Sequence, residues 1–252
     1  MYFWHCLHWG LWSNWDLLHR SSNVYSNFLA SSIARAQVQQ TWPAGARWPK
    51  MTDPQGRSAP GEINNLLIWE QVHPIIFAEY EYRSATNAAE KRQVLENWRD
   101  VVKETADWMA VFAWFNETSS VFDIGPPMYV VSEDTNPNVT VNPSFELAYW
   151  RLGLRMAETW MERLDTPGNI TATWKDVRQN LAPLPMDVES GTYLVYEGIE
   201  QNFWTDPQYT SDHPALVGLH GWLPDIQGVD VAIANKTMVK VWESWNATDF
   251  WG

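Results

Sequence analysis

The helical spacing of apolar residues is the feature that most constrains this chain. Apolar side chains recur every three or four residues through several long segments, as in helices with one buried face. Clusters of Pro and Gly separate these segments, and the alternating pattern of a half-buried strand is scarce. The sequence predicts an all-α protein with about seven helices: 15–40, 64–86 (capped by Asn64 and kinked or shifted by Pro74), 88–115, 144–163, 173–181, one capped by Asp212, and 229–245. Residues 193–203 are expected to be extended.

Helices of this length that alternate with long polar and aromatic loops are typical of an α/α-toroid. A complete toroid of twelve helices, at about 18 residues per helix and about 6 per loop, needs on the order of 290 residues. The chain has 252 residues. We therefore expect one α/α-barrel domain over residues 1–252 that is incomplete at one or both ends.

The charge balance limits the partners of this protein. Its formal net charge is −13, whereas binding a phosphate backbone needs a surplus of Lys and Arg. This balance argues against nucleic acid and suits neutral or cationic partners. No run of 18 or more apolar residues is present, so we expect no membrane span.

Tryptophan is unusually frequent, with 18 residues in 252. Helix packing accounts for many of them, because Trp is mostly a buried residue. A flat indole face also packs well against the C–H face of a sugar ring. The abundance of Trp therefore favours a carbohydrate substrate.

Two features of the sequence bear on its compartment. The single cysteine, Cys6, cannot form an internal disulfide, which favours the cytosol. Five Asn-x-Ser/Thr sequons favour a secretory route, since 16 Asn residues give roughly two by chance. The first residues are a poor signal peptide because they lack a basic segment before an apolar one. We expect a secreted glycoprotein, with the cytoplasm as the alternative. The sequons begin at Asn116, Asn138, Asn169, Asn235 and Asn246.

Polar residues that could carry chemistry collect in three irregular segments: 45–62, 123–143 and 205–213. In a toroid such loops meet at one end of the ring. Hydrolysis of a glycosidic bond needs a carboxylic acid that protonates the leaving oxygen, and a second carboxylate that acts as base or nucleophile. Glu133 is the preferred acid, because the apolar residues before it are expected to desolvate it and raise its pKa. Asp212 is the candidate base, and a helix cap is its alternative role.

The segment 45–62 contains a candidate sugar subsite. A sugar ring would stack on Trp48, and Arg47 and Lys50 would donate hydrogen bonds to hydroxyl groups. In that case, replacing Trp48 should weaken sugar binding more than it lowers stability. The alternative is a loop that Trp48 ties down by packing.

A second group of candidate binding residues precedes the second long helix. Trp69, Gln71 and His73 alternate so that their polar ends could point into a barrel mouth, although a lone His near a helix start is more often structural. His213 is a further candidate on the third segment. No His/Cys cluster has the spacing of a zinc site, and no Gly-rich phosphate loop is present, so we expect no metal and no cofactor.

Four segments occur in an order that resembles a known family. They read GARWPKMTDPQGR, WEQVHPIIFAEYEYR, IGPPMYVVSEDTNPNVTVNPSFELAYW and SDHPALVGLHGWLP. Their order and spacing are similar to those of GA(R/K)FPWESA-x-G, QEIH, GPDEYH with VNNxxYTN, and KQADVVLLxYP in glycoside hydrolase family 65 and related six-hairpin glycosidases. The resemblance covers about residues 10–252 and implies an (α/α)6 barrel. It also implies action on α-glucosides by inversion, in some members with phosphate as the nucleophile.

The chain departs from this family at the catalytic acid. Where the family has the acid within PDEY, residues 126–129 read PPMY and contain no carboxylate. Glu133 is the nearest replacement. Three functions therefore stay open: a glycosidase with Glu133 as its acid, a non-catalytic barrel that binds carbohydrate, and a lyase or epimerase with His73 or His213 as its base.

Overall fold

The computed structural model describes residues 2–166, 168–211, 213–219 and 228–245. Most of these residues are helical, and the fold class is all-α, as the sequence predicts. The helices are α1 (Tyr2–Leu11), α2 (Trp15–Ser22), α3 (Val24–Ala34), α4 (Glu62–Leu66), α5 (His73–Ser84), α6 (Ala88–Phe112), α7 (Ser144–Arg163), α8 (Asn169–Gln179), α9 (Pro207–Thr210) and α10 (Val231–Ser244). The short strands are β1 (Trp114–Asn116), β2 (Val121–Asp123), β3 (Met186–Asp187) and β4 (Thr192–Tyr193). Within the described residues, no helix is both long and apolar enough to cross a membrane.

The long apolar stripes predict their helices well. α7 has the predicted bounds, and α6 ends only slightly before the predicted residue. α8 begins earlier than predicted. α1 is missing from the prediction because its residues are almost all aromatic or apolar, which leaves no polar face to define a period. The prediction that 193–203 is extended is mostly wrong: only Tyr193 lies in a strand, bends and turns follow at 195–198, and a 3-10 turn covers Gln201–Thr205.

The first predicted helix divides into three pieces. α2 ends at Ser22, α3 follows after Asn23, and a π-helical turn continues from Arg35 to Gln39. Asn23 keeps helical dihedral angles (φ −58°, ψ −15°), so the apolar spacing continues through the break. Periodicity alone therefore cannot locate it.

The second predicted helix also divides: α4 ends at Leu66, and residues 67–68 are not helical. A 3-10 turn covers Trp69–Val72, and α5 begins at His73 with Pro74 in its first turn. This confirms the predicted shift of the helix start, because Pro is tolerated only where its missing N–H is not needed. The predicted cap at Asn64 is wrong: Asn64 is buried inside α4, which begins after Gly61 at φ +115°.

The chain packs as two compact units. Unit 1 contains Met1–Ala59, Glu70–Phe112 and Gly153–Gln179, and unit 2 contains Pro60–Trp69, Ala113–Leu152 and Asn180–Gly252. α7 supplies residues to both. A single domain over residues 1–252 stays a prediction.

Unit 1 is built on the hairpin of α5 and α6. Three residues join these helices, so they pack as neighbours, and their buried faces include Phe77 and Trp108. The indole nitrogen of Trp174 on α8 donates to Asp107 on α6 over 2.9 Å. Burial of such large aromatic side chains is the main source of stability for this unit.

In unit 2, short strands and helices flank a long loop that runs from β2 to α7. β1 and β2 form an antiparallel pair, and so do β3 and β4. On the second pair, the backbone N–H of Tyr193 donates to the hydroxyl of Thr237 on α10 over 2.9 Å. Asp230 caps α10 through the N–H groups of Ala232 and Ile233. The bond between Tyr193 and Thr237 therefore joins the β3–β4 pair to α10.

Candidate functional site

The loop that begins at Asp123 is closed at its base by Asn142. The backbone N–H of Asn142 donates to the carbonyl of Ile124 over 3.0 Å, and its side-chain oxygen accepts from the N–H of Ile124 at 3.0 Å. The side-chain amide of Asn142 also donates to Asp123 over 2.8 Å and to Glu197 over 2.7 Å. Asn142 thus joins the two ends of the loop to each other and to Glu197, which lies in the segment after β4. Compact surface loops closed in this way frequently carry function.

Glu133 lies in a tight turn within this loop. Its N–H donates to the carbonyl of Val130 over 2.9 Å, and its backbone φ is +65°. A non-glycine residue in this left-handed region costs about 1–3 kcal/mol, which the surrounding structure has to offset. Val130 is buried, but Glu133 itself is half-buried. The desolvation expected from the sequence is therefore only partial.

The buried carboxylate of Glu146 stabilises this turn. Glu146, in the first turn of α7, is 1% exposed, and one of its oxygens accepts from the backbone N–H of Val131 over 2.7 Å. The interaction fixes the backbone two residues before Glu133. The sequence places Glu146 just inside a helix, and only its tertiary contact with Val131 identifies it as a residue that positions Glu133.

Two of the three polar segments meet in unit 2, as the sequence predicts. The side-chain amide of Gln208 donates to the carbonyl of Asp134 over 3.3 Å. Asp134 in turn accepts from the hydroxyl of Ser132 at 2.6 Å. Burial raises the pKa of the nearby Tyr196 to about 12, so its hydroxyl stays a proton donor. His213, the last residue of the 205–213 segment, is exposed, whereas Asp212 lies outside the described residues.

The tyrosine of the PPMY sequence links the loop to the start of unit 2. The hydroxyl of Tyr129 donates to Glu62 over 3.1 Å, and its backbone N–H donates to the carbonyl of Leu66 over 3.0 Å. Burial and this hydrogen bond raise the pKa of Tyr129. In the same sequence, Pro126 and Pro127 are exposed and Met128 is buried.

The predicted sugar subsite at Arg47 and Trp48 is wrong for these two side chains, which are buried in unit 1. Arg47 is 1% exposed and Trp48 is 5% exposed. Arg47 donates to the carbonyl of Trp48, stacks over Trp108 at 4.9 Å and lies 3.8 Å from Glu70. Burial lowers the pKa of Arg47 to about 10. The third predicted member, Lys50, is exposed.

Gln71 is also a packing residue and not an open binding group. It is fully buried, and its amide donates to the carbonyl of Ala46 over 2.7 Å while its oxygen accepts from the N–H of Trp48 at 3.0 Å. The indole nitrogen of Trp48 donates to the hydroxyl of Thr105 over 2.8 Å. These bonds order the segment 45–50, which is the alternative that the sequence left open.

His73 and Trp69 are placed by aromatic packing. The imidazole of His73 is 6% exposed and stacks on Phe3 with ring centroids 4.1 Å apart. Burial lowers its pKa well below the ordinary value, so it is neutral, but it cannot reach a substrate in this packing. In unit 2, Trp69 is half-buried and packs 6.1 Å from Phe145 and from Tyr149.

Trp48→Ala is expected to lower the free energy of unfolding by about 3–5 kcal/mol, because it empties a buried site and leaves its neighbours without contacts. Trp12→Ala is the control, since Trp12 is 73% exposed and its loss should change stability by less than about 0.5 kcal/mol. Urea denaturation of the two variants measures both values. A Trp48→Ala protein as stable as the Trp12→Ala protein would contradict the structural role.

Comparison with known proteins supports the assignment of the fold. No family model matches the chain, and no curated protein matches it. A solved structure from the human microbiome, assigned as a candidate kojibiose phosphorylase, matches with a TM-score of 0.54 and 12% sequence identity. The match covers 69% of this chain and 24% of the other, so the chain spans about a quarter of the protein that it resembles. The likeness shows an all-α, six-hairpin glycosidase-like fold of the (α/α)6 class.

Proposed function

We propose that this protein cleaves a glycosidic bond, with Glu133 as the general acid. The observation that carries the proposal is the strained turn of Glu133, at φ +65° in a loop closed by Asn142 and held from below by Glu146. Strained backbone of this kind clusters at active sites, where the fold maintains it against its cost. The fold of the matched structure supports the same chemistry.

The proton donor and the second carboxylate have different roles. Glu133 gives its proton to the leaving oxygen as the bond breaks, and a carboxylate on the other side of the sugar activates the attacking water by taking its proton. Asp212 remains the proposed base. Glu146 is too deeply buried to touch a substrate, so it acts as a positioning residue for the acid.

Fewer residues are proposed to contact the substrate than the sequence predicts. Lys50, Trp69 and His213 are exposed or half-buried and remain proposed binding residues. His213 also remains the candidate base for a lyase or epimerase, whereas the burial of His73 argues against that role.

A non-catalytic carbohydrate-binding protein is the second candidate. Its specific support is the PPMY sequence of residues 126–129, which stands where the resembled family has PDEY and contains no carboxylate. In this case the loop would bind sugar without cleaving it.

A substrate panel separates the two functions. The purified chain is incubated with α- and β-linked disaccharides, kojibiose included, in the presence and absence of inorganic phosphate. Release of free sugar or of sugar phosphate, followed by chromatography, is the result expected for an enzyme. Saturable binding of a disaccharide without release would establish the binding function, and neither release nor binding by a folded chain would contradict both.

Secretory expression is expected to attach N-glycans at Asn138 and Asn169, which are exposed. Asn235 is exposed as well, whereas Asn246 lies outside the described residues. Asn116 is half-buried and its amide donates to Asp123 over 2.7 Å, so it should be the least modified. Peptide mass spectrometry before and after glycosidase treatment measures the occupancy of each site. Unmodified Asn138 and Asn169 in secreted protein would contradict the proposed secretory route.

A further inference from the structure

A cavity of about 560 Å³ lies in unit 1, between the junction of α2 and α3 and the hairpin of α5 and α6. Small-molecule sites have volumes of roughly 300–1,000 Å³, so the cavity is large enough for one sugar residue or two. Its lining includes none of the residues predicted from the sequence to act in catalysis or sugar binding. The side chains that line it are nearly all polar.

The buried carboxylate of Glu81 lines the cavity, and its oxygens already have hydrogen-bond donors. Glu81 is 5% exposed, and it accepts hydrogen bonds from the hydroxyl of Ser22 and from the indole nitrogen of Trp98, the latter over 2.7 Å. His19 Nδ1 lies 3.1 Å from the same carboxylate. With three partners in place, Glu81 does not need a cationic ligand. Its partners also come from α2 and α6, so the carboxylate holds both walls of the cavity together.

The rim of the cavity carries positive charge. Arg20 is exposed, and within the described part of the chain its guanidinium makes no hydrogen bond or ion pair. The hydrogen bond with Glu81 raises the pKa of His19 above its ordinary value of 6.5, and the nearby Asp16 acts in the same direction. A larger fraction of His19 is therefore cationic near neutral pH.

Neutral hydrogen-bonding groups line the rest of the rim. Asn23, Ser26 and Asn97 are all exposed at the cavity. The side-chain amide of Gln93 donates to the oxygen of Asn97 over 2.8 Å, which orients the Asn97 amide so that its N–H groups remain donors. Two amides and a hydroxyl line the cavity together with a guanidinium, so the cavity offers both hydrogen-bond donors and acceptors.

We propose that this cavity binds a sugar acid, a hydroxylated ring that bears one carboxylate. The carboxylate pairs with the guanidinium of Arg20, which has the fork geometry for bidentate binding. The ring hydroxyls bond to Asn23, Ser26 and Asn97. This site goes beyond the cleavage reaction, because none of its residues takes part in the proposed catalysis.

The test uses glucuronate as the probe, titrated into the wild-type chain and followed by calorimetry or by NMR shifts of the ligand. Glucose, which has the hydroxyls without the charge, and acetate, which has the charge without the hydroxyls, are the comparison ligands. We expect saturable binding of glucuronate and much weaker binding of the other two. Arg20→Gln should weaken glucuronate binding by roughly tenfold or more, as for loss of a hydrogen bond to a charged group. Arg92→Gln is the matched control, since Arg92 is an exposed arginine of α6 that pairs with Glu96 and does not line the cavity.

Several results would overturn the proposal. Equal affinity for glucose and glucuronate would remove the role of the charge, and equal affinity for acetate would remove the role of the hydroxyls. Glucuronate affinity that is unchanged in Arg20→Gln, or equally reduced in Arg92→Gln, would place any binding elsewhere. Arg20 is exposed and unpaired, so its replacement should leave the melting temperature unchanged and the comparison valid.

Discussion

Replacing Glu133 with Gln is expected to lower the rate of glycoside cleavage by about 10²–10⁴-fold, the usual contribution of a positioned general acid. Gln has the same length and shape as Glu but has no proton to give to the leaving oxygen. The hydrogen bond from the backbone N–H of residue 133 to Val130 is kept, as is the support of the turn by Glu146. The free energy of unfolding should therefore change by no more than about 0.5 kcal/mol, which thermal denaturation can check.

Two comparisons make this result specific to proton donation. Glu189→Gln removes an exposed carboxylate from the turn between β3 and β4 and should leave the rate unchanged. A synthetic glycoside whose leaving group needs no proton should lose far less rate in Glu133→Gln than a natural disaccharide does. Equal losses for the two substrates would contradict the acid role and would indicate that the substitution disturbs binding or the loop itself.

Gly45→Ala is expected to lower the free energy of unfolding by about 4 kcal/mol or more, an exceptional value for a single substitution. Gly45 has a φ of +83°, where a side chain is strained. A Cβ atom at this position would also lie 2.1 Å from the backbone nitrogen of Trp108 on α6. Backbone cannot move aside as a flexible side chain can, so the segment that carries Arg47 and Trp48 would have to leave α6.

Gly198→Ala separates the two causes of that loss. Gly198 has a similar φ of +79°, but no atom lies within 4 Å of the position of its Cβ. Its substitution should cost only about 1–2 kcal/mol, the price of the left-handed conformation. Urea denaturation measures both variants, with tryptophan fluorescence as the signal. A Gly45→Ala protein no less stable than Gly198→Ala would show that the close approach to α6 is not essential.

The sequence predicts the regular elements of this fold more reliably than their interruptions. Twenty residues of apolar stripe determine α7 and nearly all of α6, because every turn of a long helix repeats the same signal. A periodic pattern does not record the break at Asn23, where the backbone keeps helical dihedral angles, or the buried position of Asn64. The sequence also predicts that the loop after Asp123 approaches residues 205–213, and the bond between Asp134 and Gln208 confirms the approach.

The residues of the candidate site show the same difference between what the sequence predicts and what only the structure shows. The sequence by itself determined the all-α class and the place of the irregular segment that contains Glu133, because these follow from residue type, order and spacing. Only the tertiary structure decided that Arg47, Trp48, Gln71 and His73 are packed inside unit 1, and that Glu146 supports the turn of Glu133. The physical reason is that burial is the sum of contacts from residues distant in sequence. The sequence therefore does not distinguish a Trp that stacks on a sugar from a Trp that fills a core, because the two differ only in the contacts they make in the folded protein.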